Sequence, residues 1–291
     1  MKTIKQLLQN HKSIIIPAVH DAIAAKMAQK IGFLSVAIGG FGVSGSRFGL
    51  PDFGIVSYRE MRDAISDTAA AVDLPILVDG DNGYGGEFNV ERMIREYEQV
   101  PNVSCIFLED QVFPKRCGHL KGKQVVPAIE MVKKLKMAVH VRKRADLMIM
   151  ARTDARNIHG LDEALRRSED YLKAGVDAIF IESPQSEKEL EIIGRNFKGQ
   201  NLLVNVLNGG LTPVLPQKRL EELGFNMIAY STLTLLLMTQ ALEAGLGSLY
   251  RDGDSLGIKH TNIGSMQSYH DLIGVNKALE REQGLMKLLQ Q

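Results

Sequence analysis

The sequence has little cysteine, no excess of either charge and no long hydrophobic run, and each absence excludes a class of protein. Two cysteines in 291 residues are too few for a disulfide framework and are typical of a reducing cytoplasm. The 35 lysines and arginines balance 34 aspartates and glutamates, which leaves no basic excess for a nucleic-acid partner. No run of about 18 apolar residues is present to span a membrane, and the first residues show no signal-peptide core. We therefore expect a cytoplasmic globular protein without nucleic-acid or membrane partners.

Short apolar segments alternate with helical patterns along most of the chain. Continuous apolar runs are typical of parallel strands that are buried on both faces. Eight such runs cover residues 13–19, 34–38, 75–78, 103–108, 147–151, 178–181, 202–206 and 227–230. Helical periodicity follows at 21–31, 56–72, 90–100, 127–141, 161–174, 187–196 and 217–223.

This alternation predicts an α/β fold, specifically a (β/α)8 TIM barrel over residues 1–250. A doubly wound open sheet is the alternative, but no glycine-rich phosphate fingerprint follows the first strand. Residues 251–291 leave the pattern and predict a C-terminal helical extension that packs on the barrel or on a neighbouring subunit.

Charged residues follow several of the predicted strands, where a barrel builds its active site. Asp79 and Asp81 end the third strand and leave it on the same side, and Glu109 ends the adjacent strand. Three converging carboxylates would repel one another unless a hard divalent cation such as Mg²⁺ joined them. An Asx-turn with a solvated aspartate pair is the alternative interpretation of the first two residues.

Arg152 ends a buried run and therefore needs an anion. Asp154 and Glu182 are candidate ion-pair partners within the protein. A carboxylate or phosphonate of a substrate is the functional alternative, and both interpretations can hold for one residue.

A long cationic loop over residues 112–124 carries Cys117, with Lys115, Arg116 and His119 close to it in sequence. Neighbouring cations lower the pKa of a thiol towards neutrality, which suits a proton donor or acceptor. Cys105 instead lies inside the fourth predicted strand and is expected to be an inert buried thiol.

Several of these segments resemble the isocitrate lyase/phosphoenolpyruvate mutase superfamily. The matching motifs are residues 49–54, 78–85, 108–111, 114–119, 150–155 and 266–274. The resemblance extends over about residues 3–285 and is strongest to the branch of 2-methylisocitrate lyases, 2,3-dimethylmalate lyases and carboxyphosphonoenolpyruvate phosphonomutases.

The resemblance implies a Mg²⁺-dependent enzyme, with Mn²⁺ as the alternative ion, that forms a homotetramer by exchanging C-terminal helices. It implies that Asp79, Asp81 and Glu109 hold the metal and that loop 112–124 closes over a small 2-hydroxy or 2-oxo acid. Cys117 matches the catalytic acid, and Arg152, Lys115 and His119 complete the expected catalytic set. The expected substrate contacts are Gly40, Phe41, Asp52, Gly118, Arg152, Glu182 and Asn205.

The implied reaction is a retro-aldol cleavage of a 2-hydroxy di- or tricarboxylic acid to pyruvate or a related 2-oxo acid. Two departures from the family pattern affect specificity: Gly39 stands where serine is usual, and Asn208 where glutamate is usual. Alternatives are a phosphonomutase, an oxaloacetate decarboxylase or hydrolase, and a non-catalytic binding protein on the same scaffold. The retained acidic, cysteine and arginine motifs argue against the last.

Overall fold

A computed structural model describes residues 2–118, 120, 122–258 and 264–289. The chain divides into two compact units, Met1–Thr234 and Leu235–Gln291. The first holds eight strands: β1 (Ile14–Pro17), β2 (Val36–Ile38), β3 (Ile76–Asp79), β4 (Val103–Glu109), β5 (Met148–Thr153), β6 (Ala178–Ile181), β7 (Asn201–Asn205) and β8 (Met227–Tyr230).

The eight strands form one parallel sheet in the order β1-β8-β7-β6-β5-β4-β3-β2. A parallel bridge between Ala18 and Ala37 joins the first and last members of that order, and the Val19 amide donates to the Ala37 carbonyl at 2.8 Å. The sheet is therefore a nearly closed barrel, which confirms the (β/α)8 prediction over the open-sheet alternative.

Helices alternate with the strands. They are α1 (Ile4–Asn10), α2 (Ala22–Ile31), α3 (Gly40–Phe48), α4 (Tyr58–Ala71), α5 (Glu87–Tyr97), α6 (Ala128–Val141), α7 (Arg156–His159), α8 (Leu161–Lys173), α9 (Glu187–Asn196) and α10 (Gln217–Glu222). Helix α11 (Leu233–Asp252) runs from the first unit into the second, where α12 (Met266–Ile273) and α13 (Val275–Leu288) follow. Among the described segments, no helix combines the length and apolar character that a membrane crossing requires.

The barrel interior is one apolar cluster, separate from the layer between strands and helices. It includes Leu77, Phe107, Met150, Phe180 and Leu203 from five successive strands. Because strand side chains alternate between faces, the residue two positions further along each strand also points inward. Those positions are Asp79, Glu109, Arg152, Glu182 and Asn205, so the strand period delivers the polar residues to the mouth of the barrel.

Helix α1 covers the opposite end of the barrel. Its Ile4 and Leu7 are buried in the interior cluster, and the Ile4 amide donates to Ser104 Oγ at 2.7 Å. This helix was not predicted, although Thr3 and Gln6 form a capping box at its start, which is a helix-start signal.

Candidate active site

A cavity of about 80 Å³ lies at the carboxyl-terminal end of the barrel. One ordered water needs about 10–15 Å³, so the cavity suits a small organic acid. It is lined by most of the predicted site residues: Gly40, Phe41, Asp52, Asp79, Glu109, Lys115, Cys117, Gly118, Arg152, Glu182 and Asn205. His119, the remaining predicted catalytic residue, lies outside the described residues.

Asp79 is held in place by two backbone amides. Gly40 N donates to Asp79 Oδ2 at 3.0 Å, and Asp81 N donates to Asp79 Oδ1 at 2.8 Å. Asp81 itself has a positive φ of 46°, a conformation that is uncommon outside glycine and concentrates at functional sites. The Gly40 amide, which we expected to face the substrate, is thus committed to Asp79 in this conformation.

The Lys115 side chain extends from the loop and places its ammonium group among the carboxylates. Lys115 Nζ lies 2.9 Å from Asp52 Oδ1 and also contacts Asp81 Oδ1, with the side chain almost fully buried. Burial by itself would lower the pKa of Lys115, but the carboxylates of Asp81, Asp79, Glu109 and Asp52 outweigh it and hold the pKa well above its ordinary value. The lysine is therefore a fixed cation within the acidic cluster.

Arg152 lies at the centre of a second cluster. Its Nε is 2.9 Å from Asp154 Oδ2 and 3.4 Å from Glu109 Oε2, and its Nη2 is 3.1 Å from Glu182 Oε2. The guanidinium also lies over the Phe180 ring, 5.1 Å from its centroid. Both ion-pair partners proposed from the sequence are present, and they fix the guanidinium at the cavity wall.

Among the described residues, the two clusters hold more carboxylates than cations. The carboxylates are Asp52, Asp79, Asp81, Glu109, Asp154 and Glu182, and the cations are Lys115, Lys123 and Arg152, with Arg116 also in the cavity wall. Burial raises the pKa of Glu109 well above its usual range, and burial with the neighbouring Asp81 raises that of Asp79. Lys115 and Arg152 lower both pKa values but do not offset the burial.

The acidic residues fit a hard divalent cation. Glu109 Oε1 and Asn205 Oδ1 are buried and have no hydrogen-bond partner among the described residues. Within those residues, no group of three or more acidic, histidine or cysteine side chains is arranged to hold a metal ion by itself. Mg²⁺ typically takes only one or two carboxylates and completes its shell with water and substrate oxygens.

The described part of loop 112–124 is joined at its base, and residues 115–118 line the cavity. Gln111 and Val125 form an antiparallel bridge, and Val112 N donates to Gln124 O at 2.9 Å. The Gln111 side chain donates to Arg116 O and accepts from Arg116 N, each at 2.9 Å. These contacts bring Cys117, which is partly buried, to the cavity wall.

The α-carbon of Gly118 lies directly against the Arg152 cluster. A Cβ atom at this position would lie 2.5 Å from Arg152 Nη2 and 2.7 Å from Glu182 Oε2. Real Cβ atoms essentially never make such contacts, so a side chain at this position would displace the Arg152 guanidinium or the Glu182 side chain.

Lys123 was not predicted as a site residue, and Asp154 was predicted only as an ion-pair partner. Lys123 Nζ lies 2.5 Å from Asp154 Oδ1 and donates to the Gly118 carbonyl. In the sequence, Lys123 is marked only by lying in the cationic loop, and this does not predict where its ammonium group lies.

Comparisons with known proteins agree with this geometry. The phosphoenolpyruvate phosphomutase family model matches residues 4–249. The 2,3-dimethylmalate lyase of Eubacterium barkeri is 40% identical over 279 residues, which cover 96% of each chain. A solved oxaloacetate acetylhydrolase in complex with 3,3-difluorooxalacetate superposes with a TM-score of 0.91 and 30% identity, covering 97% of this chain and 96% of that one. A phosphonopyruvate hydrolase in complex with oxalate and Mg²⁺ gives a TM-score of 0.86 and 25% identity, with 96% of each chain covered.

Proposed function

The chain belongs to the isocitrate lyase/phosphoenolpyruvate mutase superfamily, and from that premise we propose that it is a Mg²⁺-dependent carbon–carbon lyase. Its substrate is a 2-hydroxy di- or tricarboxylic acid of the dimethylmalate or methylisocitrate type. Its products are pyruvate or a related 2-oxo acid and a second carboxylate. The observation that carries the proposal is one cavity lined by Cys117, Arg152, Asp79 and Glu109.

Asp79, Asp81 and Glu109 are the residues that would hold Mg²⁺, or Mn²⁺ in its place. When bound, the ion supplies polarisation of the oxygen on C2 of the substrate. The raised pKa values of Asp79 and Glu109 and the unpartnered Glu109 Oε1 support this assignment.

Arg152 binds a substrate carboxylate. A guanidinium presents several donors in one plane and pairs with a carboxylate through two parallel hydrogen bonds. Glu109, Asp154 and Glu182 hold it rigidly, so little of its freedom is lost on binding. The apolar floor of the cavity, which includes Phe107 and Phe180, receives the alkyl groups.

Cleavage needs one proton removed and one supplied. The proton of the C2 hydroxyl passes to a carboxylate at the cavity wall, where Glu182 lies beside Arg152. The C2–C3 bond then breaks, C2 becomes the carbonyl carbon, and the bonding electrons stay on C3. The Cys117 thiol gives its proton to C3, while the closed loop keeps bulk water away from the carbanion.

The test is metal-dependent release of a 2-oxo acid, followed by coupled NADH oxidation. The panel is 2-methylisocitrate, isocitrate, 2,3-dimethylmalate, citramalate and oxaloacetate. We expect one hydroxy acid to be cleaved, with activity lost on chelation and restored by Mg²⁺.

Replacing a positioned general acid lowers the rate about 10²–10⁴-fold, so Cys117→Ser should lower kcat by that factor. Cys105→Ala is the matched control, because Cys105 is buried in β4 among the interior residues.

An oxaloacetate hydrolase or decarboxylase is the second candidate, and Gly39 and Asn208 favour it because both depart from the lyase pattern. Release from oxaloacetate alone, surviving Cys117→Ser, would support it over the lyase. No turnover of any compound on the panel would contradict the lyase proposal. Phosphorus NMR with phosphonopyruvate then separates a phosphonomutase from a non-catalytic binding protein.

A further inference from the structure

Lys123 anchors the tip of loop 112–124 from within the loop itself. Its side chain is 2% exposed, and a buried lysine is rare unless it is paired. Its ammonium donates to the Gly118 carbonyl and lies 2.5 Å from Asp154 Oδ1, beyond the end of β5. One side chain therefore joins the residue after Cys117 to the wall of the barrel.

The Gly118 carbonyl receives two further donors from the barrel. Ser183 Oγ donates to it at 3.3 Å and Asn157 Nδ2 at 3.5 Å. Ser183 follows β6 in a left-handed conformation with φ 57°, which turns its side chain towards the loop at an energetic cost. Both donors are neutral, so Lys123 makes the strongest of the three contacts.

Asp154 is shared between Lys123 and Arg152. Arg152 Nε and Nη2 donate to Asp154 at 2.9 and 3.2 Å, while Lys123 approaches Asp154 Oδ1. Glu109 and Glu182 also contact Arg152, so the guanidinium is already surrounded by negative charge. With the loop closed, Lys123 adds one positive charge to this cluster, and that charge leaves the cluster when Lys123 withdraws.

We propose that Lys123 is a positioning residue that latches loop 112–124 and, by offsetting the charge of Asp154, favours binding of the carboxylate of the substrate at Arg152. Loop closure and anion binding are thereby coupled through one carboxylate. The second half of this inference rests on the proposed function, since it takes Arg152 as the anion-binding group.

The latch is tested by the rate at which iodoacetamide alkylates Cys117. Cys105 is fully buried, so Cys117 is the thiol that reacts in the folded protein. Losing one charge-assisted contact should favour the open loop by about tenfold, and Lys123→Met should raise the alkylation rate by that factor. Lys123→Arg should keep the rate near wild type. Lys133→Met, which removes an exposed lysine from α6, controls for the lost charge.

Wild-type alkylation kinetics in Lys123→Met, with far-UV circular dichroism unchanged, would overturn the latch. If Lys123→Met does not fold, the comparison moves to Lys123→Gln. A Lys123→Gln rate that equals wild type would overturn the latch in the same way.

The coupling is tested by calorimetric titration of oxalate in the presence of Mg²⁺. Lys123→Met should weaken oxalate binding about tenfold, because the cluster around Arg152 then carries one positive charge fewer. Adding Asp154→Asn to Lys123→Met should restore much of the affinity while alkylation stays fast. Equal affinities for the single and double variants would overturn the sharing of Asp154. Failure of the wild type to bind oxalate would count against the proposed function, and the alkylation rates would still decide the latch.

Discussion

At the scale of single residues, Gly118 sets how closely the loop approaches the barrel. Its α-carbon faces the Arg152–Glu182 pair, at a distance that leaves no room for a methyl group. The neighbouring Cys117 depends on this approach, because the thiol must reach the reacting carbon within the closed cavity.

We expect Gly118→Ala to lower kcat/KM by about 100-fold, the usual cost of misplacing a reacting group by about 1 Å. The free energy of unfolding should also fall, by about 1–3 kcal/mol, because the added methyl group overpacks against the buried Arg152–Glu182 pair. Steady-state kinetics and urea denaturation measure the two effects. Gly86→Ala is the control, because a Cβ at Gly86 meets nothing within 4 Å. Unchanged kinetics in Gly118→Ala would show that the cavity works with the loop open.

The sequence is enough to predict which residues stand at the ends of the strands. Asp79, Glu109, Arg152 and Glu182 interrupt apolar runs, and the two-residue period of a strand is enough to direct them into the barrel. The contacts of Lys115 and Lys123 cannot be read in this way. Both belong to a loop without periodicity, and their partners Asp52 and Asp154 are distant in sequence.

At the scale of elements, the ends of β4 and β5 are tied together by Asp110. Its Oδ1 accepts from Asp154 N at 2.9 Å. Its Oδ2 accepts from Thr153 Oγ1 at 2.7 Å, Tyr171 Oη at 2.8 Å and Arg167 Nη1 at 3.1 Å. This fully buried carboxylate therefore holds the backbone that carries Asp154, and through it the Arg152 cluster.

We expect Asp110→Asn to destabilise the protein by about 3 kcal/mol, the cost of breaking a buried charged network. Either orientation of the new amide would set its NH₂ group against a donor. Thermal and urea unfolding measure the loss, with Asp67→Asn on the exposed face of α4 as the control. A loss equal to that of the control would show that the network contributes nothing to stability.

The elements themselves differ in how well the sequence predicts them. All eight strands lie where continuous apolar runs predict them, because a strand buried on both faces has no polar alternation. Helix α3 was not predicted, and its sequence GFGVSGSRF explains why: glycine and serine are poor helix formers. Helix α11 was also missed, because its sequence has no clear polar face to mark a helical period.

At the scale of the whole molecule, the second unit leaves many apolar side chains exposed. Leu285, Met286, Leu288 and Leu289 on and beside α13 are each more than half exposed. Exposed apolar surface of this extent is typical of an interface, which supports the proposal of a homotetramer that exchanges C-terminal helices.

Sedimentation equilibrium should give a mass of about 129 kDa, four times the 32.2 kDa of the chain. Leu285→Glu combined with Leu288→Glu should shift the protein to smaller species, because buried charges oppose association. Glu282→Lys, an exposed charge on the same helix, should leave the mass unchanged. A monomeric wild type would contradict the tetramer.

Helix α1 has a further consequence for a reaction that makes two products. Ile4 and Leu7 fill the amino-terminal end of the barrel, so among the described residues the cavity communicates with solvent on the side of loop 112–124. The two products formed from one substrate must then leave through the same opening, one after the other. The product nearer the loop leaves first, and the product that lies against Phe107 and Phe180 leaves second. Inhibition by the two products should therefore follow an ordered pattern, in which only the deeper fragment competes with the substrate.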